Sequence, residues 1–326
     1  MGDVVHALPA VSDMLRHDPT LEIDWLVEAP FAAIPALHPG VRRVIPLAWR
    51  KWRKRLGSRA TWQAIGALRD ELRCEPYDLV LDLQGNLKSA LWATQARGLR
   101  AGYDRQSVIS EPLASLFYGR TARVPRDMQA VERNRRLAGA HLGYAQPDRA
   151  SDTPPVFGIR PPATAGWAAP APYALLIPNA SRPEKFWPED RWIAVGQRLR
   201  AAGWTPLVLW GSEAERQMAE RIAAGCGGAL PPFLKVGEMA AVLAGARAIV
   251  GLDTGFSHLG AAFGVPTLGI YCDHEPGHAG IAGPDPGRVA SIGGIGQVPA
   301  LAAVLGLLEP MVGAVAQRVM ETPPLS

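Results

Sequence analysis

What most constrains this chain is an alternation. Short apolar runs of strand length each close on a polar or glycine-rich turn, and a stretch of helical period follows. In the carboxyl half the runs are Ala174–Ile177, Pro206–Trp210, Ala248–Leu252 and Thr267–Tyr271. They end in "PNASRPEK", "WGSEAE", "LDTGFSH" and "YCDHEPG". Helical periods cover Glu189–Ala202, Glu213–Ala224 and Met239–Ala244. A strand that must be followed by a helix before the next strand begins predicts a parallel sheet in an α/β fold. In such sheets ligands bind at the carboxyl ends of the strands, where these turns lie.

The amino half repeats the pattern. Val4, Leu8, Val11 and Leu15 recur at helical spacing, with Asp3 where an N-cap belongs and Asp18-Pro19 as a stop. Strands are expected at Ile23–Val27, Val44–Leu47 and Leu79–Leu83, a helix near Trp62–Arg73, and a largely helical stretch over Glu111–Leu142. Residues 151–172 carry six prolines and no period, the signature of a linker. The expectation is two Rossmann-like, doubly wound domains facing a cleft, with residues 1–155 in the first and 156–326 in the second.

The chain has 326 residues and only three cysteines, Cys74, Cys226 and Cys272, widely spaced and without a CxxC pair. That argues against a disulfide framework and a zinc site. No secretory signal is legible in the first residues. Val289–Leu308 is uncharged, but Gln297, Pro299 and several glycines make it strand, loop and helix rather than a membrane span.

Three stretches could carry chemistry. In "GLDTGFSHLG" a strand runs into Asp253, Thr254 and Gly255, and a helix starts near Ser257. Free N–H groups at a helix start hold phosphate, and Gly255 lets the backbone come close. His258 in the first helical turn is a candidate donor to a diphosphate, or an ordinary half-buried histidine. In "PNASRPEKFWPEDRW", Ser181 and Lys185 lie on the loop before a helix, where a lysine neutralises a leaving group or simply faces solvent. Glu213 follows a third strand and could bind ribose hydroxyls, or merely favour the start of its helix. Asp3, at a turn into the first helix, is a candidate general base or a plain cap.

The basic run is distinctive. Arg42, Arg43, Arg50, Lys51, Arg53, Lys54, Arg55 and Arg59 occur with no acid among them and with Trp49 and Trp52 interleaved. Solvated faces mix signs, so the run suggests a polyanionic partner, nucleic acid or an anionic lipid surface. Arg120, Arg123 and Arg126 begin a second basic region.

In combination the motifs resemble those of the ADP-heptose:lipopolysaccharide heptosyltransferases of glycosyltransferase family 9. The matching pieces are "MGDVVHALPAV", "RVIPLAWRKWRK", "DLQGNLKSA", "EPLASLFYGR", "AVERNRRLAGAHLGY", "KFWPEDRW" and "DTGFSHLGAAFGVPT". They stand in the family's order over nearly the whole chain. The basic run and "EPLASLFYGR" look like the branch that acts on Kdo. The resemblance implies the GT-B architecture and an inverting transfer of L-glycero-D-manno-heptose from ADP-heptose to the inner-core Kdo of lipid A. ADP-heptose would be a substrate, with no cofactor, no metal and no nucleic-acid partner. The protein would work in the cytoplasm, peripheral on the inner membrane.

Carried over by motif, Asp3 is the base and Lys185 the leaving-group residue. Ala180, Ser181, Lys185, Glu213, Leu234, Asp253, Thr254, Gly255 and His258 bind the donor. Arg50, Lys51, Arg53, Lys54 and Arg120 meet the acceptor. The sequence departs from the family in three places: Ala180 replaces a hydroxyl residue, Cys272-Asp273-His274-Glu275 replaces a Gly-Pro-Thr turn, and no strand precedes "MGD". Since the first strand is central in doubly wound sheets, the amino-terminal sheet should be interrupted, and translation is expected to begin upstream of Met1. Two other readings stay open: a different GT-B sugar-nucleotide enzyme, such as the second heptosyltransferase or an epimerase, and a non-catalytic polyanion-binding paralogue.

Overall fold

The computed structural model describes residues 1–145, 153–163, 166–180 and 182–321. The chain forms two compact units, one of His6–Gly158 and one of Ile159–Ser326 joined by Met1–Val5.

The helix α1 (Gly2–His17) is the spine of the His6–Gly158 unit. A single apolar stripe underestimates it. Val5, His6, Ala7, Leu8, Ala10 and Val11 are all buried, because α1 is packed on several sides. It lies against Ile23, Trp25 and Val41, against Leu81 and Leu83, and against Ala138. Asp3 is the second residue of α1 rather than its cap.

The strands β1 (Ile23–Glu28) and β2 (Val41–Leu47) form one parallel pair. The strands β3 (Pro76–Leu81), β4 (Arg97–Tyr103) and β5 (Arg120–Ala122) form a second parallel sheet in that order. Among the described residues no backbone ladder joins β1 to β3. Side chains bridge them instead: the Tyr77 hydroxyl donates to Asp24 Oδ2 at 2.9 Å, and Arg43 reaches both. The expected interruption of the amino-terminal sheet is therefore present, between β1 and β3.

The segment Glu111–Leu142, expected to be largely helical, is not. It holds a 3-10 turn (Pro112–Phe117), the strand β5 and then a helix over Ala130–Leu142. Pro125 biases its predecessor to extended backbone and separates β5 from the helix. Three further helices are α2 (Trp49–Trp52), α3 (Arg59–Arg73) and α4 (Leu87–Ala93), which makes Ala130–Leu142 α5. Trp52 is buried, and Trp49 and Trp52 both pack on Trp92 with ring centroids 6.3 and 5.9 Å away. The tryptophans of the basic run are core residues.

α5 is held to α1 by a buried ion pair. Arg135 Nε donates to Asp13 Oδ2 at 2.6 Å, with both side chains almost fully buried. Glu132 lies 3.5 Å from the same guanidinium. Removing one member of a buried pair strands the other, at a cost of about 3–5 kcal/mol. Asp13→Ala should destabilise the protein toward the lower end of that range, since Glu132 remains. Urea denaturation reads this directly, and a midpoint unchanged from wild type would contradict it.

The second unit carries β6 (Tyr173–Ile177), α6 (Glu189–Ala201), β7 (Thr205–Val208), α7 (Glu213–Cys226), α8 (Val236–Ala244) and β8 (Ile249–Leu252). Then follow α9 (Gly255–Ala262), β9 (Thr267–Tyr271), α10 (Pro276–Ala279), β10 (Val289–Gly293) and α11 (Leu301–Glu321). Its sheet is wholly parallel, in the order β7-β6-β8-β9-β10. The chain runs outward in one direction from β6 to β7, then reverses through β8. That reversal opens a crevice between the carboxyl ends of β6 and β8. The core beneath is built on Trp192, Val195, Leu199, Ile222, Val250, Ile270, Val304 and Leu308. Caps fix the helix ends: the Ser212 side chain accepts from Glu215 N–H, and Gly227 closes α7 in the left-handed region at φ 64°. Val289–Leu308 is strand, loop and helix as read from its glycines and Pro299. Among the described residues no helix is long and apolar enough to cross a membrane.

Candidate active site

The crevice at the β6/β8 reversal is where the second unit concentrates its buried polar groups. β6 delivers the loop that holds Asn179, Ala180 and Lys185, and β8 delivers Asp253 and Thr254. Lys185 Nζ donates to Asp253 Oδ2 at 2.7 Å. On the other side, His258 Nε2 lies 3.2 Å from Asp253 Oδ1. A carboxylate only accepts, so this contact places a hydrogen on Nε2. Burial raises the Asp253 carboxyl pKa, but the hydrogen bonds from His258 and Lys185 outweigh it, and the group falls well below the usual carboxylate range. A depressed carboxyl stabilises the fold above its ordinary 3.8 and loses that contribution only as pH falls toward the lower folded value. Asp253 is thus ionised throughout the neutral range, with a cation on one side and an imidazole on the other.

Thr254 stands at the N-cap of α9, yet no side chain caps that helix. The Ser257 hydroxyl instead donates back to the Leu252 carbonyl at 2.7 Å. The Thr254 side chain thus leaves the leading N–H groups of α9 uncapped, an arrangement that suits an anion. Gly255 cannot be replaced without movement. A Cβ there would lie 2.5 Å from atoms of the Met1 side chain, which covers the turn.

The remaining donor candidates lie further along the same strand ends. Glu213 is the first residue of α7 and exposed, 3.7 Å from Arg216. Leu234 is half-buried in the loop before α8, next to Phe233. Phe233 is exposed and packs against Trp210 with ring centroids 5.8 Å apart and planes tilted by 56°, with Arg216 over the Trp210 ring at 5.6 Å. This aromatic pair was not among the residues singled out from sequence. Ser181 lies outside the described residues. Arg182 donates to Asp273 Oδ2 at 2.8 Å, which ties the Lys185 loop to the "YCDHEPG" turn.

Asp3 is exposed in the first turn of α1. In the His6–Gly158 unit, Arg50, Lys51, Arg53 and Lys54 follow the carboxyl end of β2 on α2 and the next turn, all exposed. Arg50 sits over the Phe31 ring at 5.2 Å. Arg120 opens β5, paired with Ala101 near the carboxyl end of β4, and is exposed. Two members of the basic run do not belong with these. Arg42 pairs with Glu22, Asp24 and Glu75, and Arg43 with Asp24. The acids absent from the run are supplied by β1 and the residue before it, and by the turn before β3.

Two α/β units built on parallel strands, as here, match the GT-B glycosyltransferase architecture. The structure titled "E. coli heptosyltransferase WaaC with ADP" matches 95% of this chain and 97% of its own, with TM-score 0.84 and 36% identity. Residues 65–292 match glycosyltransferase family 9 (heptosyltransferase). Lipopolysaccharide heptosyltransferase 1 of Pseudomonas aeruginosa is 43% identical over 291 residues, 87% of this chain and 79% of that protein. The Escherichia coli K12 protein of the same name is 39% identical over 284 residues, 86% of this chain and 87% of its own. The chain belongs to glycosyltransferase family 9.

Proposed function

We propose that this enzyme is a heptosyltransferase of the first type, which moves L-glycero-D-manno-heptose from ADP-heptose to the Kdo of a lipid A precursor with inversion. The observation that carries the reading is the Lys185–Asp253–His258 chain at the β6/β8 reversal, in front of the uncapped start of α9. Breaking the bond between sugar C1 and the diphosphate leaves negative charge on ADP. Lys185, His258 and the α9 amides are the groups to receive it. Thr254 adds a hydroxyl, and Ala180 and Gly255 let the backbone approach. The Trp210–Phe233 pair and Leu234 offer an apolar seat for the adenine, and Glu213 an acceptor for ribose hydroxyls. Asp3 takes the proton of the attacking Kdo hydroxyl. As charge separates, the reacting sugar acquires oxocarbenium character.

Arg50, Lys51, Arg53, Lys54 and Arg120 meet the anionic acceptor and the inner-membrane surface that presents it, on the cytoplasmic side. Arg53→Glu with Lys54→Glu should raise the apparent acceptor KM several-fold while the ADP-heptose KM stays put. The difference should shrink at high salt, because exposed charges are screened over ~8 Å at physiological ionic strength. An acceptor KM unmoved at low salt would return these residues to solvent.

The decisive experiment mixes the protein with ADP-heptose and Kdo-lipid A and follows ADP. Release that depends on acceptor supports the reading. Release without acceptor points to a donor-hydrolysing or isomerising enzyme, and binding without release to a non-catalytic paralogue.

A further inference from the structure

Buried carboxylates in the His6–Gly158 unit are satisfied, with one exception. Asp82 accepts from the backbone N–H groups of Gln84 and Gly85 and from the Tyr118 hydroxyl at 2.7 Å. Asp24 accepts from Arg42, Arg43 and Tyr77. Asp13 is held by Arg135 and Arg16. Glu28 is only 8% exposed, yet neither of its carboxylate oxygens has a hydrogen-bond partner. Among the described residues its ion-pair neighbour is Lys88, whose Nζ stops 3.7 Å from Oε1, beyond hydrogen-bond reach.

An unsatisfied buried carboxylate is expensive and rare, and calls for a reason. Its place supplies one. Glu28 is the last residue of β1, at the carboxyl end of a parallel pair, where α/β folds bind their ligands. Lys88 is the second residue of α4. The loop that delivers it is rigid: Asp82 gathers its backbone, Asn86 and Ser89 form a reciprocal cap, and Leu87 N–H donates to Glu111 at 2.6 Å. The pair is thus a fixed acceptor of hydrogen bonds beside a half-exposed cation, at the ligand end of the unit.

We infer that Glu28 binds the acceptor sugar, accepting hydrogen bonds from hydroxyls next to the one that attacks. This rests on the reading of the enzyme as a transferase to a sugar acceptor. A polyhydroxylated sugar is the ligand class that fits, since a buried carboxylate needs hydrogen-bond donors and sugar hydroxyls supply them. The residue sets the orientation of the acceptor rather than taking its proton.

Glu28→Gln and Glu28→Asp test this in the full-length enzyme with ADP-heptose and Kdo-lipid A. Glutamine keeps the shape and loses the charge. Aspartate keeps the charge opposite Lys88 but withdraws the oxygens by one methylene. Both should raise the acceptor KM, by about 10- to 100-fold for glutamine, the range for a hydrogen bond to a charged group. The ADP-heptose KM and the unfolding midpoint should stay at wild type. An acceptor KM within twofold of wild type in both variants would overturn the inference. So would full rescue by aspartate, which assigns Glu28 to its charge contact with Lys88, or parallel changes in both KM values with a lowered midpoint, which assigns it to folding. A wild-type enzyme that releases no ADP with this acceptor overturns the proposed function itself, and this inference falls with it.

Discussion

Asp3→Ala should cut heptose transfer by about 10²–10⁴-fold, the usual contribution of a general base, and leave ADP affinity within twofold of wild type. The residue sits in the first turn of α1 with its side chain exposed. Alanine is a strong helix former, and the loss of a helix-start carboxylate is worth only ~0.3–1 kcal/mol. A large loss of turnover in a folded protein that still binds nucleotide thus separates chemistry from helix stability. Steady-state kinetics paired with calorimetric titration of ADP reads both quantities. Transfer within a few-fold of wild type would reduce Asp3 to a favourable charge at a helix start.

Lys185→Ala should lower turnover by about 10²–10³-fold, as expected for one donor to a developing anion. The argument lies in its pairing. Lys185 is held by Asp253, and Asp253 by His258, so the cation is fixed at the carboxyl ends of β6 and β8. Arginine at 185 would keep the charge but change the geometry, and should recover only part of the loss. Asp253→Asn should be nearly as damaging, because Lys185 and His258 both lose their anchor. The pH profile offers a further check. The Asp253 carboxyl is held well below the usual carboxylate range, so an acid limb of activity near neutrality does not come from it. If Lys185→Ala changes only the donor KM and spares kcat, the lysine binds the ground state and does not serve the leaving group.

The sheet of the second unit was legible because its strands are buried on both faces. Runs such as Ala248–Leu252 and Thr267–Tyr271 are then almost purely apolar and differ sharply from the turns beside them. The crevice was legible for the same reason, since Lys185, Asp253 and His258 are polar residues next to those runs. The amino half was harder. Glu111–Leu142 read as helix because Leu113, Leu116 and the later apolar residues fall near helical spacing. Leu113 and Leu116 are in fact exposed, so the period carried no burial. The basic run misled in part, because the acids that neutralise Arg42 and Arg43 come from Glu22, Asp24 and Glu75, distant in sequence. Glu28 gave no signal at all. A single acid at the end of a strand is ordinary, and only its missing partners set it apart.

The break between β1 and β3 gives the protein a vulnerable seam. Asp24, Tyr77 and Arg43 and the packing of α1 hold the two strands where no main-chain ladder does. Warmed samples should therefore loosen at this seam before the second unit does. Deuterium should enter the amides of β1 and β3 ahead of those in β8, which has a strand on both sides.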